Sequence, residues 1–300
     1  MAAHDFEVII LGSGPAGLQA AIHAGRAKTS VLVLGREHKS SLQKAHVENY
    51  CCLGAVEGET LLREGRGQAE KAGARFLNED VVETEKEDGW IKIRTESERE
   101  LRTRALILAM GVQRHKLNVP GEKELLGKGV SYCVDCDAGF FRGERVAVIG
   151  EESAAVSGAL TMLFYADEVH LIAGNLQVSE SLAAHLRESA VVLHEGRKVK
   201  KIEGENQVAG LLLDDGTRLE VGGVFIELGA KGAIELAANL GVALDSKTMK
   251  FIVTDKKQET NVPGVYAAGD ICGPPWQVAK AVGEGCVAGL EAAAYAKKLR

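Results

Sequence analysis

Short apolar runs, bounded by glycine or polar residues, recur along the chain and alternate with stretches of helical spacing. Phe6 to Leu11 (FEVIIL) is one such run, and its continuous apolar character predicts a strand buried on both faces. GSGPAG follows at Gly12 to Gly17, then LQAAIHAGRA with helical spacing, then a second buried strand at Ser30 to Leu34 (SVLVL). This is a βαβ unit. Residues 76–108 read as hairpin material in three pieces, RFLNEDVVETE, GWIKIRTE and RALILAMG, with period-two alternation in WIKIR.

A second βαβ unit opens at Arg145. RVAVIG is its first strand, ESAAVSGALTMLFYA its helix and EVHLIAG its second strand, and residues 199–226 return to strand patterns. From Gly229 the chain reaches GVYAAGDI at 264–271, a strand ending in an acid, and closes with the small-residue helix VAKAVGEGCVAGLEAAAYAKKL. The first βαβ block is thus interrupted by a second, and the last strand and helix can return to the first. The predicted fold class is α/β, with two Rossmann-like three-layer domains, one inserted into the other. Its expected parts are 1–112 and 229–300 for the first domain and 113–228 for the insert, with crossovers near 113–118 and 226–232.

Composition narrows the class. With 300 residues, 35 glycines and 5 prolines, the chain suits an α/β fold with many tight strand-to-helix turns. No run reaches the ~18 apolar residues of a membrane span, so no membrane partner is expected. The acidic start, leading straight into a strand, is unlike a signal peptide. A net charge of −6 argues against nucleic acid as a partner. Six cysteines are too few for a disulfide scaffold, and the expected setting is the cytoplasm, where most thiols stay reduced.

Two motifs carry chemistry. Gly12-Ser13-Gly14-Pro15-Ala16-Gly17 fits GxGxxG between a strand and a helix. Gly12 permits the tight turn, Gly14 lets a pyrophosphate approach the backbone, and Gly17 lets helix and strand pack closely. Glu37, 20 residues after Gly17, is placed to hold a ribose hydroxyl, and Gly269-Asp270 sets a second carboxylate beside a cofactor's sugar or sugar alcohol. The second motif is YCVDCDA at Tyr132 to Ala138. Its CxxC pair can be a metal clip, a structural disulfide or a redox dithiol. No further ligands stand at metal spacing: His4, His115 and His170 are scattered, and Cys51-Cys52 is not a second CxxC, so no metal is expected.

GSGPAG, VEN at 47–49, CxxCD at 133–137, TNVPGVYAAGD at 260–270 and GEGCVAGLEA at 283–292 together resemble the low-molecular-weight thioredoxin reductases, in that family's order and over essentially the whole chain. The resemblance implies a homodimer with one FAD per subunit in the first domain. It also implies a CxxC in the second domain that docks against the flavin ring. By that match Cys136 faces the flavin, Cys133 attacks the substrate disulfide and Asp137 donates a proton. Gly12, Ser13, Gly14, Pro15, Ala16, Gly17, Glu37, Asn49, Gly269, Asp270, Gln277 and Val278 become FAD contacts. Thioredoxin or a similar small dithiol protein is the implied partner.

The chain departs from that family where NADPH should bind. Gly150-Glu151-Glu152-Ser153-Ala154-Ala155 keeps the outer positions of GxGxxA but puts Glu152 at the middle glycine, beside Glu151. A side chain there obstructs the pyrophosphate, and like charges at 4 Å cost ~4 kcal/mol at an effective dielectric of ~20. The strand Val169 to Ile172 is followed by Ala173-Gly174-Asn175, with no basic residue before Arg187 to meet a 2′-phosphate. NADPH is therefore not the expected donor. The chain resembles the family's ferredoxin-linked, pyridine-nucleotide-independent members, and a second flavin could occupy the vacated pocket. Three other readings of the same residues are a dithiol oxidase passing electrons to oxygen, an NADPH-dependent reductase with an altered pocket, and a non-catalytic flavin redox sensor.

Four smaller features complete the reading. Cys51-Cys52 replaces the family's proline turn after VEN and reads as a pair of small buried residues, with an extra redox pair as the alternative. Cys272 and Cys286 read as structural. Trp276 either stacks on the flavin ring or packs at an interface. Asp135, inside the CxxC, either disfavours a neighbouring thiolate or is a solvated loop residue.

Overall fold

The computed structural model describes residues 4–36, 40–112, 116–229 and 232–300. It divides into two compact units. One comprises Met1–Thr95, Arg99–Val112 and Gly232–Arg300, and the other Glu96–Glu98 and Gln113–Lys231, so the second is an insertion in the chain of the first.

The first unit contains β1 (His4–Leu11), α1 (Pro15–Arg26), β2 (Val31–Leu34), β3 (His46–Val47), β4 (Val56–Glu57), α2 (Gly58–Lys71) and β5 (Ala74–Leu77). It continues with β6 (Val81–Glu87), β7 (Trp90–Thr95) and β8 (Glu100–Leu108). The insert supplies β9 (Val130–Ser131), α3 (Val134–Asp137), β10 (Arg145–Ile149), α4 (Ser153–Met162), β11 (Glu168–Ala173), α5 (Glu180–Glu188) and β12 (Val192–Glu195). Strands β13 (Val199–Glu203), β14 (Gly210–Leu213), β15 (Arg218–Leu219) and β16 (Gly223–Ile226) complete it. The chain then returns to the first unit with α6 (Ala233–Asn239), β17 (Val265–Ala267) and α7 (Val278–Lys298).

The first unit's sheet runs β5-β2-β1-β8-β7-β6, with β17 also on β8. Strand β8 changes partner along its length. Its start pairs antiparallel with β7 and its end parallel with β17, which brings the C-terminal strand home. Alternation along β1 divides the core. Val8 and Ile10 face α1 and α7, while Ile9 and Leu11 face the opposite layer containing α6 residues such as Leu236. The piece RFL, read as hairpin material, is instead β5, parallel to β2. Its apolar run is too short to distinguish the two pairings, and the α2 crossover from β4 decides it.

The insert repeats the plan. Its sheet runs β12-β11-β10-β16-β9, all parallel, covered by α4 and α5 on one face and by the antiparallel β13-β14-β15 on the other. The small residues of α7 have a packing reason. A Cβ on Gly285 or Gly289 would run into the carbonyl oxygens of Ala16 and Ala20, so α7 lies directly on α1 only because these positions are glycine. Among the described residues, no helix is long and apolar enough to cross a membrane.

Candidate functional site

Each unit presents a glycine loop at the carboxyl end of a parallel strand, β1 in the first unit and β10 in the insert, the usual place for a ligand in such sheets. In the first unit, Gly12 has φ +111° and its N–H donates to the Leu34 carbonyl at 2.7 Å. A Cβ there would strike the Ala109 carbonyl, and one on Gly17 would strike the carbonyl of Gly12 itself. Gly14 is different. It caps α1 in extended geometry (φ −78°, ψ −176°) with no side-chain cap, and the nearest atom to a Cβ built on it is Ser40 Oγ at 3.5 Å. Pro15 opens the helix, where a missing N–H costs nothing, and Ala16 is buried behind it. The helix N-terminus is therefore bare and approachable, which fits a pyrophosphate. A cavity of about 270 Å³, lined in part by Ser13, Leu18, Gln43 and Arg63, opens beside the loop.

The C-terminal motif joins this loop. Gly269 (φ +88°) packs against Ala16 and Ala281, and Asp270 begins a 3₁₀ turn directly after it. Lys280 Nζ donates to the carbonyls of Gly269 (2.8 Å) and Gly273 (2.7 Å) and pairs with Glu284 at 3.1 Å. Glu284 in turn accepts from the Gly269 N–H at 2.8 Å. This clamp fixes the segment carrying Asp270. Burial raises the Asp270 carboxyl above the ordinary aspartate range, against the pull of Lys280. Asn49 Nδ2 donates to Gln277 Oε1 at 2.9 Å, so these two expected contacts, 228 residues apart, meet. Val278 opens α7 and packs on the cluster of Leu18, Leu42, Val47 and Leu62. Glu37 lies outside the described residues.

The CxxC starts the short helix α3. Cys133 is buried and disulfide-bonded, while Cys51, Cys52, Cys272 and Cys286 are free. The backbone of Cys136 belongs to α3, and its side chain lies outside the described set. Sequence reasoning missed the residues that hold this helix. Ser131 Oγ donates to Asp137 Oδ2 at 2.6 Å and accepts from the Cys133 N–H at 3.0 Å, so one hydroxyl links the acid to the backbone of the first cysteine. Glu227, buried at the end of β16, accepts from the Val134 N–H at 2.8 Å and satisfies a first-turn donor. Tyr132 donates its hydroxyl to the buried Glu122 at 2.7 Å. An acid inside the apolar run FIEL was the available signal for Glu227. Downstream of Asp137, Phe140 is 83% exposed.

The insert's own glycine loop repeats the first one atom for atom in part. Gly150 donates to the Ile172 carbonyl at 3.1 Å, as Gly12 does to Leu34, and Glu227 N–H donates to Ile149 as Ala109 N–H does to Leu11. The cap position is again extended (φ −117°, ψ −173°), but its residue is Glu152. Glu151 Oε1 accepts from the Gly174 N–H at 3.1 Å, and the Glu151 carbonyl accepts from the Gln177 N–H at 2.7 Å. The carboxylate thus bridges the ends of β10 and β11. One point was not visible along the chain: Lys198 Cε comes within 3.8 Å of where a Gly174 side chain would start, so this edge does carry a cation.

The cysteine pair corrects the reading of small buried residues. Cys51 and Cys52 are both exposed, because they occupy a turn that leaves the core between β3 and β4. Cys272 is partly buried, its thiol pushed up to about 12 by burial and then by Glu284, which suits a structural role. Trp276 is 61% exposed. Among the described residues, no group of three or more His, Cys, Asp or Glu could hold a metal ion.

Comparison with known proteins completes the picture. Residues 6–285 match the pyridine nucleotide-disulphide oxidoreductase family. The thioredoxin reductase of Listeria monocytogenes is 33% identical over 98% of this chain and 95% of its own. The crystal structure of an atypical thioredoxin reductase from Desulfovibrio vulgaris Hildenborough superposes with TM-score 0.84 at 35% identity, covering 97% of this chain and 98% of that one. A ferredoxin-flavin thioredoxin reductase from Clostridium acetobutylicum does so with TM-score 0.69 at 32% identity, covering 99% of both chains. With an approachable phosphate cradle, a paired C-terminal carboxylate loop and a disulfide on a buttressed helix, the chain belongs to the pyridine nucleotide-disulphide oxidoreductases, among the thioredoxin reductases, and is an FAD-dependent disulfide oxidoreductase.

Proposed function

We propose that this enzyme reduces thioredoxin or a similar small dithiol protein, and that its electrons come from a donor other than NADPH. Ferredoxin is the favoured donor, with a second flavin next. The observation that carries the donor assignment is Glu151, whose carboxylate is bonded to the Gly174 N–H across the crevice where a nicotinamide dinucleotide would lie. Glu152 stands at the cap position that pyrophosphate must approach. A dinucleotide would have to break the Glu151 bond and accept two carboxylates beside its phosphates. The ferredoxin reading is supported by the relative from Clostridium acetobutylicum, whose name joins ferredoxin to flavin.

FAD would be held by Gly12, Ser13, Gly14, Pro15, Ala16, Gly17, Glu37, Asn49, Gly269, Asp270, Gln277 and Val278. When bound, it supplies the electron pair that opens the Cys133 disulfide. Cys136 is assigned the flavin-facing thiol and Cys133 the attack on the partner's disulfide. Asp137 is assigned the proton delivered to the departing thiolate, and the Ser131 hydroxyl at 2.6 Å orients the carboxylate for it. Exposed Phe140, three residues on, offers a protein partner an apolar contact beside the dithiol. The proposed assembly is a cytoplasmic homodimer, the arrangement usual for the family.

An anaerobic absorbance titration of the purified yellow protein tests the donor. NADPH should leave the flavin band unchanged, reduced ferredoxin should bleach it, and added oxidised thioredoxin should restore it. Stoichiometric bleaching by NADPH within seconds would overturn the assignment.

A further inference from the structure

The pair Cys51-Cys52 is not used by the chemistry above. Both residues are exposed, and their sulfurs lie 3.4 Å apart. They are the two central residues of a turn closed by the Leu53 N–H donating to the Tyr50 carbonyl at 3.1 Å. Cys52, the third residue of this turn, has φ +68°, a left-handed conformation that glycine or asparagine adopts at least cost. A cysteine there carries a conformational penalty that a glycine would not. A glycine would remove that penalty, and with it the second sulfur.

Adjacent cysteines have unusual redox chemistry for a covalent reason. Across a trans peptide their Cα atoms are held ~3.8 Å apart, below the ~4.4–6.8 Å that an unstrained disulfide spans. A disulfide between them is strained, and strained exposed disulfides are the labile ones. Such a pair stays reduced until the surrounding disulfide load is high, then closes, and opens again when the load falls. It is suited to respond to a dithiol pool rather than to staple a fold.

We propose that Cys51 and Cys52 form a second, labile thiol–disulfide exchange centre on the flavin-binding unit, responsive to the oxidised fraction of the protein disulfide that the enzyme acts on. The oxidant is that partner's disulfide. One thiolate of the pair attacks a partner sulfur, forming a mixed disulfide and releasing the other partner sulfur as a thiol. The second cysteine then attacks the mixed disulfide, closing the Cys51–Cys52 bond and releasing the second partner thiol. Two electrons pass from the pair to the partner, and the two protons lost by the pair are taken up by the two partner thiols. The partner's dithiol form runs the same steps backwards. The turn begins directly after Asn49, whose side chain is bonded to Gln277, so closing the pair acts next to an expected flavin contact.

The test is an equilibrium titration of the flavin-loaded protein in glutathione buffers of increasing oxidised fraction, quenched with N-ethylmaleimide and read by peptide mass spectrometry. The 51–52 peptide should pass from doubly alkylated to unalkylated and lighter by two hydrogens. It should do so at an oxidised-to-reduced ratio at least about tenfold above that at which the Cys133 peptide loses its label. Cys52→Gly, which relaxes the turn and should fold at least as well, should leave Cys51 with a stable glutathione adduct, because no neighbouring thiol remains to resolve it. A 51–52 peptide that stays doubly alkylated at every ratio would overturn the proposal. So would single adducts that accumulate in the unaltered protein without resolving.

Discussion

The two glycine loops share a backbone and differ in what fills them. Gly12 and Gly150 make the same turn, donate to the same place on the neighbouring strand and precede helices capped by an extended residue. In the first loop that residue is Gly14 and the helix end is bare. In the second it is Glu152, and the adjoining Glu151 has already bonded to the far side of the crevice. A fold can therefore keep its architecture while one ligand edge stays open and the other satisfies itself. Architecture depends on the sterically enforced glycines, whereas binding depends on the one position where a side chain is tolerated.

The largest expected effect comes from making the first loop resemble the second. Gly14→Glu should fold, because a Cβ at Gly14 meets only Ser40 Oγ at 3.5 Å and the extended backbone suits any residue. A glutamate at a helix N-terminus even complements the helix dipole. It should nevertheless weaken flavin binding by about 10²–10³-fold, from ~4 kcal/mol of like-charge repulsion. The flavin-to-protein absorbance ratio after gel filtration measures this. A yellow, fully loaded Gly14→Glu protein would mean that phosphate does not approach the first loop at this point.

The reverse change is smaller. In the double variant Glu151→Gly, Glu152→Gly the obstruction and both charges are removed, and NADPH affinity should rise by about 10–100-fold, read by fluorescence titration. The gain is limited because Ala173-Gly174-Asn175 offers no arginine to the 2′-phosphate, although Lys198 stands near enough to help. An unchanged affinity would show that more than these two carboxylates closes the crevice.

Legibility followed chain locality. The βαβ repeats, the inserted order and both glycine loops are written in short runs, since strand burial and tight turns constrain neighbouring residues. What could not be read was supplied by residues from other elements. Ser131 reaches Asp137 from β9, Glu227 reaches Val134 from the end of β16, and Lys198 approaches Gly174 from the connection between β12 and β13. Sheet register decides these meetings, and a single sequence does not encode register in any one segment. The cysteine pair failed differently. Composition favours burying small apolar thiols, but a left-handed turn carries Cys51 and Cys52 out of the core.

The subtlest contrast is between the carboxylates at the two ligand edges. Glu151 is already bonded to the Gly174 N–H, so truncation to alanine should cost flavin-free stability by about 1–2 kcal/mol. Asp270 is the opposite case. Burial raises its carboxyl above the ordinary value of 3.8, so the folded chain holds this proton to higher pH than the unfolded chain. Folding then takes up a proton, and stability falls as pH rises from the unfolded value through the folded one, with the full penalty present above both. Asp270→Asn removes that penalty. It should raise the melting temperature of the flavin-free protein at pH 7, and the advantage should shrink as pH falls through the raised folded value and vanish below about 4, where aspartate is protonated in both states. The same variant should bind flavin more weakly, because the acid assigned to the cofactor's sugar alcohol is gone. Stabilisation at pH 7 with weaker flavin binding would mark Asp270 as a group held at a cost for its ligand. A lower melting temperature at pH 7 would instead make Asp270 a structural partner of the Lys280–Glu284 clamp, and the two ligand edges would no longer differ in kind.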